Sequence, residues 1–405
     1  MAGRDSAKYS RNAKARRCGV VMGGALSAFV AAAAMATGSA APAKADFEDL
    51  LDPIIQPLLT SFTDAISGFD PAAAVDLTSW TDSLLSSLNS IDLALPAAAE
   101  PAAALPAAAE PASSTVSIPI AVAEDTEPTV QSTVDGASTT LLVDSGSSGL
   151  VIPDTDLGSN FFTQLEKLFE LGFPTSFGES GYSGGVDYDY LTYNVPVDYT
   201  STTGAEVTTT APVEVEVYSW DPSDFSSLFT NDAFQNFDTD NDVTGILGIG
   251  TTGTGGAGES PIEAAGYQGV TVDLPGGVLT LDGTPDTTGT PLTATGSTVS
   301  GLTETVTSST GTTSGTVSDD LDTGGVYGTI PSSISSSTLV PNDVVTVSDN
   351  GKELYSYVVG TDVIGGQDYT QAPTVISGSS IDSGVEPFFS HALSIDYNTG
   401  DLYLQ

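Results

Sequence analysis

The sequence has very few of the side chains that most catalytic and metal sites require. Its 405 residues include one cysteine, Cys18, and one histidine, His391. Catalysis by a Ser-His-Asp or Cys-His arrangement needs a histidine beside the nucleophile, and His391 is the only candidate in the sequence. A zinc site built from cysteine and histidine is excluded for the same reason. Catalysis in this chain must therefore depend on carboxylates, and His391 is interpreted as a structural or surface residue.

Basic residues are also scarce. There are nine lysines and arginines against 52 aspartates and glutamates, a formal net charge of −43. After residue 45 the only basic residues are Lys167 and Lys352. A surface this anionic argues against nucleic acid or an anionic membrane as a partner. Repulsion between these negative charges decreases as the pH falls, which is compatible with activity at low pH. An acidic surface that is only solvated would have the same composition.

The N-terminal residues 1–45 have the pattern of an export signal. A basic stretch reaches Arg17, an alanine-rich apolar run follows, and Ala43-Lys44-Ala45 forms a small-residue cleavage site. The residues around Arg16-Arg17 fit a twin-arginine signal poorly, so the general export route is favoured. The apolar run is too interrupted for a membrane span. We therefore expect a secreted or cell-envelope protein with no integral membrane span in its mature chain.

Two further segments precede the main body. Residues 46–94 have apolar side chains recurring at three and four positions, which predicts short helices. These helices either pack on the body or serve as a propeptide or envelope anchor. Residues 95–114 are a proline- and alanine-rich repeat, which predicts an extended linker without a core. A domain boundary near residue 114 follows.

From Thr115 onward the pattern is that of an all-β protein. Short runs of Val, Ile, Leu, Tyr and Thr alternate with turns rich in Gly, Asp and Ser. Only residues 161–171 and 260–265 have helical patterning. The acids of residues 237–242 alternate as in a calcium loop, but Val243 stands where that loop needs glycine. We expect an acidic surface loop there, and no metal.

Two aspartate turns share one layout. Asp144-Ser145-Gly146 follows an apolar strand and leads into a run that ends in Ile152-Pro153, and Asp322-Thr323-Gly324 leads into a run that ends in Ile330-Pro331. One such triplet is a common turn. Two copies with matching flanks predict a duplicated β unit in which each half supplies one carboxylate to a shared site.

With these two turns the sequence resembles the pepsin-like aspartic proteases, in particular the exported mycobacterial ones that process PE-type surface proteins. The ordered likeness covers about residues 115–405. It implies a bilobal, pseudo-twofold, all-β fold with lobes at 115–285 and 286–405. Gly248, in the segment 245–250, and Gly384 would be the glycines of the loops that brace the two turns, and residues 277–283 resemble the strand between the lobes.

The resemblance also implies roles for the turn residues. Asp144 and Asp322 would be the catalytic pair, with Ser145 and Thr323 cross-bracing the turns. Ser147 would orient Asp144. The matching position in the second turn is Gly325, so Asp322 lacks that donor and its tuning is expected to differ.

A third Asp-Ser-Gly begins at Asp382 and competes with Asp322 for the second catalytic position. Only 23 residues follow Asp382, about three strands, which is too few to build a half-lobe around it. Asp322 is followed by 83 residues. We therefore assign Asp322 to the pair and place Asp382 just before the second brace glycine.

In this family a hairpin flap bearing a tyrosine closes over the substrate. Tyr182 lies 38 residues after Asp144 and is the preferred flap residue, with Tyr188, Tyr190 and Tyr193 as open alternatives.

The resemblance implies an aspartic endopeptidase without metal or cofactor. Its substrates would be extended polypeptides of exported or surface proteins. Two motifs in one chain favour a monomer. The alternative is a catalytically inactive protein of the same architecture that binds peptides or envelope components.

Overall fold

The computed structural model describes residues 114–405 except 158–163, 165–166, 169, 172–173, 183–184, 225–232, 252–257 and 365–366, and it describes only the backbone at 362–364 and 367–369. The predicted signal peptide, helical segment and nearly all of the predicted linker lie outside the described residues.

The described chain is almost all β-strand, because its β-branched and aromatic residues alternate with glycine-containing turns. In the first half the strands are β1 (Val116–Pro119), β2 (Ala121–Ala123), β3 (Glu127–Val134), β4 (Ala137–Asp144), β5 (Ser148–Pro153), β6 (Ser176–Tyr182), β7 (Val186–Thr200), β8 (Glu206–Trp220), β9 (Ile246–Ile249), β10 (Gly269–Asp273) and β11 (Val278–Asp282). In the second half they are β12 (Thr290–Leu292), β13 (Ala294–Thr295), β14 (Thr298–Ser308), β15 (Gly311–Asp320), β16 (Thr329–Pro331), β17 (Val344–Asp349), β18 (Lys352–Val358), β19 (Gly360–Ile364), β20 (Gln367–Gln371), β21 (Thr374–Ile376), β22 (Ser380–Asp382), β23 (Leu393–Asp396) and β24 (Leu402–Leu404).

The first-half sheet holds the first aspartate turn. Its strand order is β2-β3-β4-β9-β5-β8-β7-β6, with an additional pairing of β3 to β7. β4 and β9 run parallel, and their register places Asp144 opposite Gly248. The apolar side chains just before the turn, Leu141 and Val143, are completely buried. Asp144 is therefore the polar end of a core strand.

The second half repeats this arrangement. Its main sheet has the order β18-β17-β14-β15-β22, and β13 pairs with β14. β15 and β22 run parallel with Asp320 opposite Asp382. Two small pairs, β16 with β21 and β19 with β20, complete this half. The predicted all-β aspartyl peptidase-like fold is confirmed, with each aspartate turn beside a parallel bracing strand.

A further six-stranded sheet contains strands from the beginning, middle and end of the described chain. Its order is β1-β11-β10-β23-β24-β12. β10 pairs with both β11 and β23 in antiparallel registers. The segment 277–283, expected to lie between the lobes, supplies β11 to this sheet.

Short helices join some strands. They are α1 (Ala233–Asn241) and α2 (Pro261–Ala264), with 3₁₀ turns at Asp154–Asp156 and Glu386–Phe389. Residues 164, 167, 168 and 170 of the predicted helix at 161–171 are also helical. The expected acidic surface loop at 237–242 is wrong, because the run continues α1 to Asn241 and buries Asp238. Within the described ranges, no helix combines the length and apolar character needed to cross a membrane.

Candidate active site

The two aspartate turns meet and are tied together by a symmetrical set of hydrogen bonds. The Ser145 N–H donates to Thr323 Oγ1 at 3.1 Å, and the Thr323 N–H donates to Ser145 Oγ at 2.9 Å. Each hydroxyl then donates to the strand before the other turn, Ser145 to the Leu321 carbonyl at 2.7 Å and Thr323 to the Val143 carbonyl at 2.6 Å. All of these groups are buried. The four bonds fix the relative position of the two turns.

This bracing brings Asp144 and Asp322 together. A Cβ atom added to Gly146 would lie 2.5 Å from Asp322 Cγ, and one added to Gly324 would lie 3.2 Å from Asp144 Cγ. Each carboxyl thus packs against the glycine of the opposite turn. Each also accepts a 2.8 Å hydrogen bond from the glycine N–H of its own turn. Glycine is required at 146 because any larger residue would displace Asp322.

The second member of the pair holds its proton strongly. Burial raises the pKa of the Asp322 carboxyl well above its ordinary value, and the charges of Asp144 and Asp382 raise it further. Asp322 also shares a side-chain hydrogen bond with Asp144, and this bond favours the protonated form of Asp322. These surroundings thus favour a neutral Asp322.

Only the first aspartate has a hydroxyl donor from its own turn. Ser147 Oγ donates to Asp144 Oδ2 over a short hydrogen bond, and both residues are buried. Two donors, Ser147 and the Gly146 N–H, therefore fix the orientation of the Asp144 carboxylate. Gly325 offers no side chain to Asp322, as the sequence requires.

The third aspartate, Asp382, is not opposite Asp144. It ends β22, two residues before Gly384, and its N–H donates to Thr329 Oγ1 at 2.8 Å. Its carboxyl oxygen accepts the Gly384 N–H at 2.8 Å. Burial raises the pKa of Asp382 to about 7. Asp382 therefore belongs to the second bracing segment, and its charge acts on Asp322 from there.

The two brace glycines lie where the chain segments come closest. A Cβ on Gly248 would fall 2.6 Å from the Ser148 carbonyl carbon, so β9 can pair with β4 and β5 only if this residue is glycine. Gly384 has a φ of +66° and its Cβ position is 2.5 Å from the Gly328 N. Both positions require glycine for close packing beside an aspartate turn.

The preferred flap tyrosine lies at the end of a hairpin. β6 and β7 pair from Ser176 to Tyr182, with Tyr182 opposite Val186. The Tyr182 ring stacks on Tyr188, with centroids 5.7 Å apart, and on Phe237 at 6.1 Å. Burial, then Tyr188 and then the Asp144 charge raise the pKa of the Tyr182 hydroxyl. Of the alternatives, Tyr188 is completely buried beneath this stack.

The sequence did not predict two residues, Ser383 and Glu127, that interact with the aspartate pair. Ser383 Oγ accepts the Asp322 N–H at 3.0 Å and donates to the Gly384 carbonyl, also at 3.0 Å. Glu127 is buried, its pKa is raised to about 7 mainly by that burial, and the Asp144 charge contributes. The third Asp-Ser-Gly triplet was the available signal for Ser383. No pattern around Glu127 pointed to its location.

Comparison with known proteins identifies the family of the chain. The profile of the PE-PGRS C-terminal aspartyl peptidase-like domain matches residues 116–402. "PE cleavage protein A" of Mycobacterium tuberculosis (strain H37Rv) is 32% identical over 307 residues, which cover 70% of this chain and 50% of that protein. "PE cleavage protein A" of Mycobacterium marinum is 33% identical over 301 residues, with the same two coverages. The chain thus spans about half the length of these relatives. The chain belongs to the family of the PE-PGRS C-terminal aspartyl peptidase-like domain.

Proposed function

We propose that the chain is an aspartic endopeptidase that hydrolyses peptide bonds with Asp144 and Asp322. The observation that supports this most strongly is the reciprocal bracing of Ser145 and Thr323, which holds the two carboxyls against each other's turns. Two adjacent carboxyls cannot both be ionised, so one proton is shared between them, as in aspartic proteases generally. Such a pair can act as base and acid at once.

In this proposal the two carboxyls have different roles. Asp144, held by Ser147 and the Gly146 N–H, takes a proton from a water molecule whose oxygen attacks the peptide carbonyl carbon. Asp322 gives its proton to the carbonyl oxygen, which yields a tetrahedral diol. Asp144 then passes its proton to the amide nitrogen as the C–N bond breaks. One diol hydroxyl returns a proton to Asp322, and both side chains regain their starting states.

The substrates we propose are proteins that carry PE domains. The relatives in M. tuberculosis and M. marinum are named for PE cleavage, and the peptidase-like domain of this chain matches about half of their length. We propose that the β6–β7 hairpin, which carries Tyr182, serves as the flap that closes over an extended polypeptide segment. The predicted export signal places this reaction outside the cytoplasm, in the cell envelope or the medium.

Cleavage of a purified substrate tests the proposal. The purified full chain is incubated at pH 4 to 7 with a denatured protein and, separately, with a PE-domain protein, with and without a statine-type inhibitor. Asp144→Asn and Asp322→Asn serve as matched controls, since asparagine keeps the side-chain shape. We expect cleavage by the wild type only, blocked by the inhibitor. Cleavage that survives either substitution would rule out this pair as the active site.

The inactive alternative gives a different result in the same assay. A peptide-binding protein would retain PE-domain or peptide binding, measured by calorimetry, without producing fragments at any pH. This alternative is motivated by Gly325, which stands in the second turn where the first turn has the donor Ser147.

A further inference from the structure

Gly325 is glycine for a reason other than its backbone. Its φ is outside the left-handed region, so another residue could adopt the same conformation. The space beside it is occupied instead. A Cβ atom on Gly325 would lie 2.1 Å from Asp382 Oδ1, 2.7 Å from Cγ and 2.8 Å from Oδ2. The carboxyl of Asp382 therefore fills the place where a side chain at position 325 would begin.

The same position in the first turn carries the donor Ser147. Ser147 is three residues after Asp144, and Gly325 is three residues after Asp322. The Asp382 carboxyl thus lies close to where a serine hydroxyl at 325 would lie. Its charge acts on Asp322. In the second half, the side chain that fills this position comes from the bracing strand rather than from the turn.

The Asp382 side chain is held firmly in this place. The Gly384 N–H fixes one carboxyl oxygen, and the backbone N–H of Asp382 is bonded to Thr329. The turn also bends toward the brace. Val326 has a φ of 54°, which a β-branched residue rarely adopts, and its carbonyl accepts the Val385 N–H at 2.8 Å. Glycine at 325 and aspartate at 382 therefore form one packing unit.

We propose that Asp382 is a positioning residue for Asp322, filling from the bracing strand the place of the side chain that Gly325 lacks. This inference rests on the proposed peptidase function and extends it by a third carboxyl. The first bracing segment has Ile246 at the corresponding place, two residues before Gly248, and an isoleucine there cannot bond to Asp144. The two halves therefore orient their aspartates by different routes.

The surroundings of Asp382 are acidic. Asp320 lies beside it on β15, and the charge of Asp144 also acts on it from the first turn. The charge of Asp382 in turn acts on Asp319 and on the Tyr357 hydroxyl of β18. Because the Asp382 charge raises the pKa of Asp322, it extends the protonated state of Asp322 to higher pH. The alkaline limb of activity should therefore depend on Asp382.

The first experiment measures kcat, KM and the pH profile of peptide cleavage for Asp382→Asn. Asparagine keeps the size of the side chain and removes its charge. We expect kcat to fall by about 10-fold to 100-fold with KM within about twofold, because orientation and not binding is lost. We also expect the alkaline limb to move down by about one pH unit. A variant with wild-type kcat and pH profile would overturn the proposal.

A second-site rescue separates positioning from general destabilisation. Gly325→Ser alone should abolish activity, because its side chain overlaps Asp382. Asp382→Ala alone removes the carboxyl that fills the place of a side chain at 325. The combined variant restores a hydroxyl at 325 and should exceed both single variants in kcat by at least about tenfold. Asp320→Asn is the charge-matched control, and it should not rescue Gly325→Ser. A combined variant no better than the weaker single variant would contradict the proposal.

A readout without catalysis distinguishes this inference from the proposed function. Carbon-13 NMR of aspartate carboxyls, with the Asp322 signal assigned by its loss in Asp322→Asn, reports titration even in an inactive protein. We expect the Asp322 midpoint to fall by about one unit in Asp382→Asn. An inactive wild type with this shift would refute the peptidase proposal alone. An unchanged midpoint would refute the role of Asp382, whatever the activity.

Discussion

The two halves of the molecule present an aspartate in the same way and support it differently. In both, a core strand ends in an aspartate turn beside a parallel bracing strand. In the first half, Ser147 of the turn donates to the aspartate and the brace is apolar. In the second, the turn has Gly325 and the brace supplies Asp382 and Ser383. The topology is thus duplicated more closely than the chemistry.

This difference has a chemical consequence. A hydroxyl donor beside Asp144 suits a carboxylate, whereas further acids beside Asp322 suit a neutral carboxyl. The environment of Asp322 thus pushes it toward its protonated form, while Asp144 accepts hydrogen bonds from its own turn. Such a division is how a pair of identical side chains supplies both a base and an acid.

The largest expected effect comes from removing either carboxyl of the pair. Asp144→Asn removes the base and Asp322→Asn removes the acid, and each should lower kcat by at least about 10³-fold. Equal losses would show that the two halves contribute equally to one site. The measurement is kcat on a quenched fluorescent peptide. As a control for folding, each variant should still unfold cooperatively on heating. A loss of kcat in only one of the two variants would contradict the proposed pair.

The next effect tests the donor that only the first half has. Ser147→Ala should lower kcat by about 10-fold to 100-fold, because the Asp144 carboxylate loses its short hydrogen bond. Ser147→Thr keeps the hydroxyl and serves as the control. A Ser147→Ala variant with wild-type kcat would contradict this role of Ser147.

A moderate effect on folding is expected from the bracing hydroxyls. Ser145→Ala leaves the Thr323 N–H and the Leu321 carbonyl buried without these partners, and Thr323→Ala has the mirror effect. Each should lower the free energy of unfolding by about 1–3 kcal/mol. Urea denaturation measures this. Because the four bonds form one network, the double variant should lose less than the two single variants added together. Strict additivity would show that the turns are braced independently.

Much of this arrangement follows from the sequence, for identifiable reasons. The alternation of β-branched residues with turns predicted an all-β protein, and the family resemblance of the duplicated Asp-x-Gly turns implied the aspartyl peptidase-like fold. The acidic run at 237–242 was misread as a loop, because Phe234 and Asp238 are buried against the sheet and hold it as a helix. Gly325 showed that the second turn lacks the hydroxyl donor that Ser147 provides in the first turn. Its replacement by Asp382 could not be predicted, because the two residues meet only through long-range strand pairing.

The smallest effect compares buried acids of the two halves. Burial raises the pKa of Glu214 on β8 and of Glu304 on β14 to about 8 each. A raised folded-state pKa stabilises the protein below the ordinary glutamate pKa, and this stabilisation is lost as pH rises through about 8. The temperature midpoint of unfolding should therefore increase as the pH is lowered from 8.5 to 5.

Replacing either acid tests that trend in each half separately. Glu214→Gln and Glu304→Gln should each flatten the pH dependence of the thermal midpoint, since a neutral glutamine has no proton to lose. Exposed Glu353→Gln is the matched control and should leave it unchanged. A midpoint that rises toward pH 8.5 in the wild type would contradict this role of the buried acids.

A crystal structure with a bound statine-type inhibitor tests the proposed pair most directly. The inhibitor's hydroxyl stands in for the attacking water and the diol of the intermediate. We expect this hydroxyl within hydrogen-bond distance of both Asp144 and Asp322, with Asp382 in contact with Asp322 alone. A hydroxyl held between Asp144 and Asp382, or an inhibitor bound away from the two turns, would contradict the assignment.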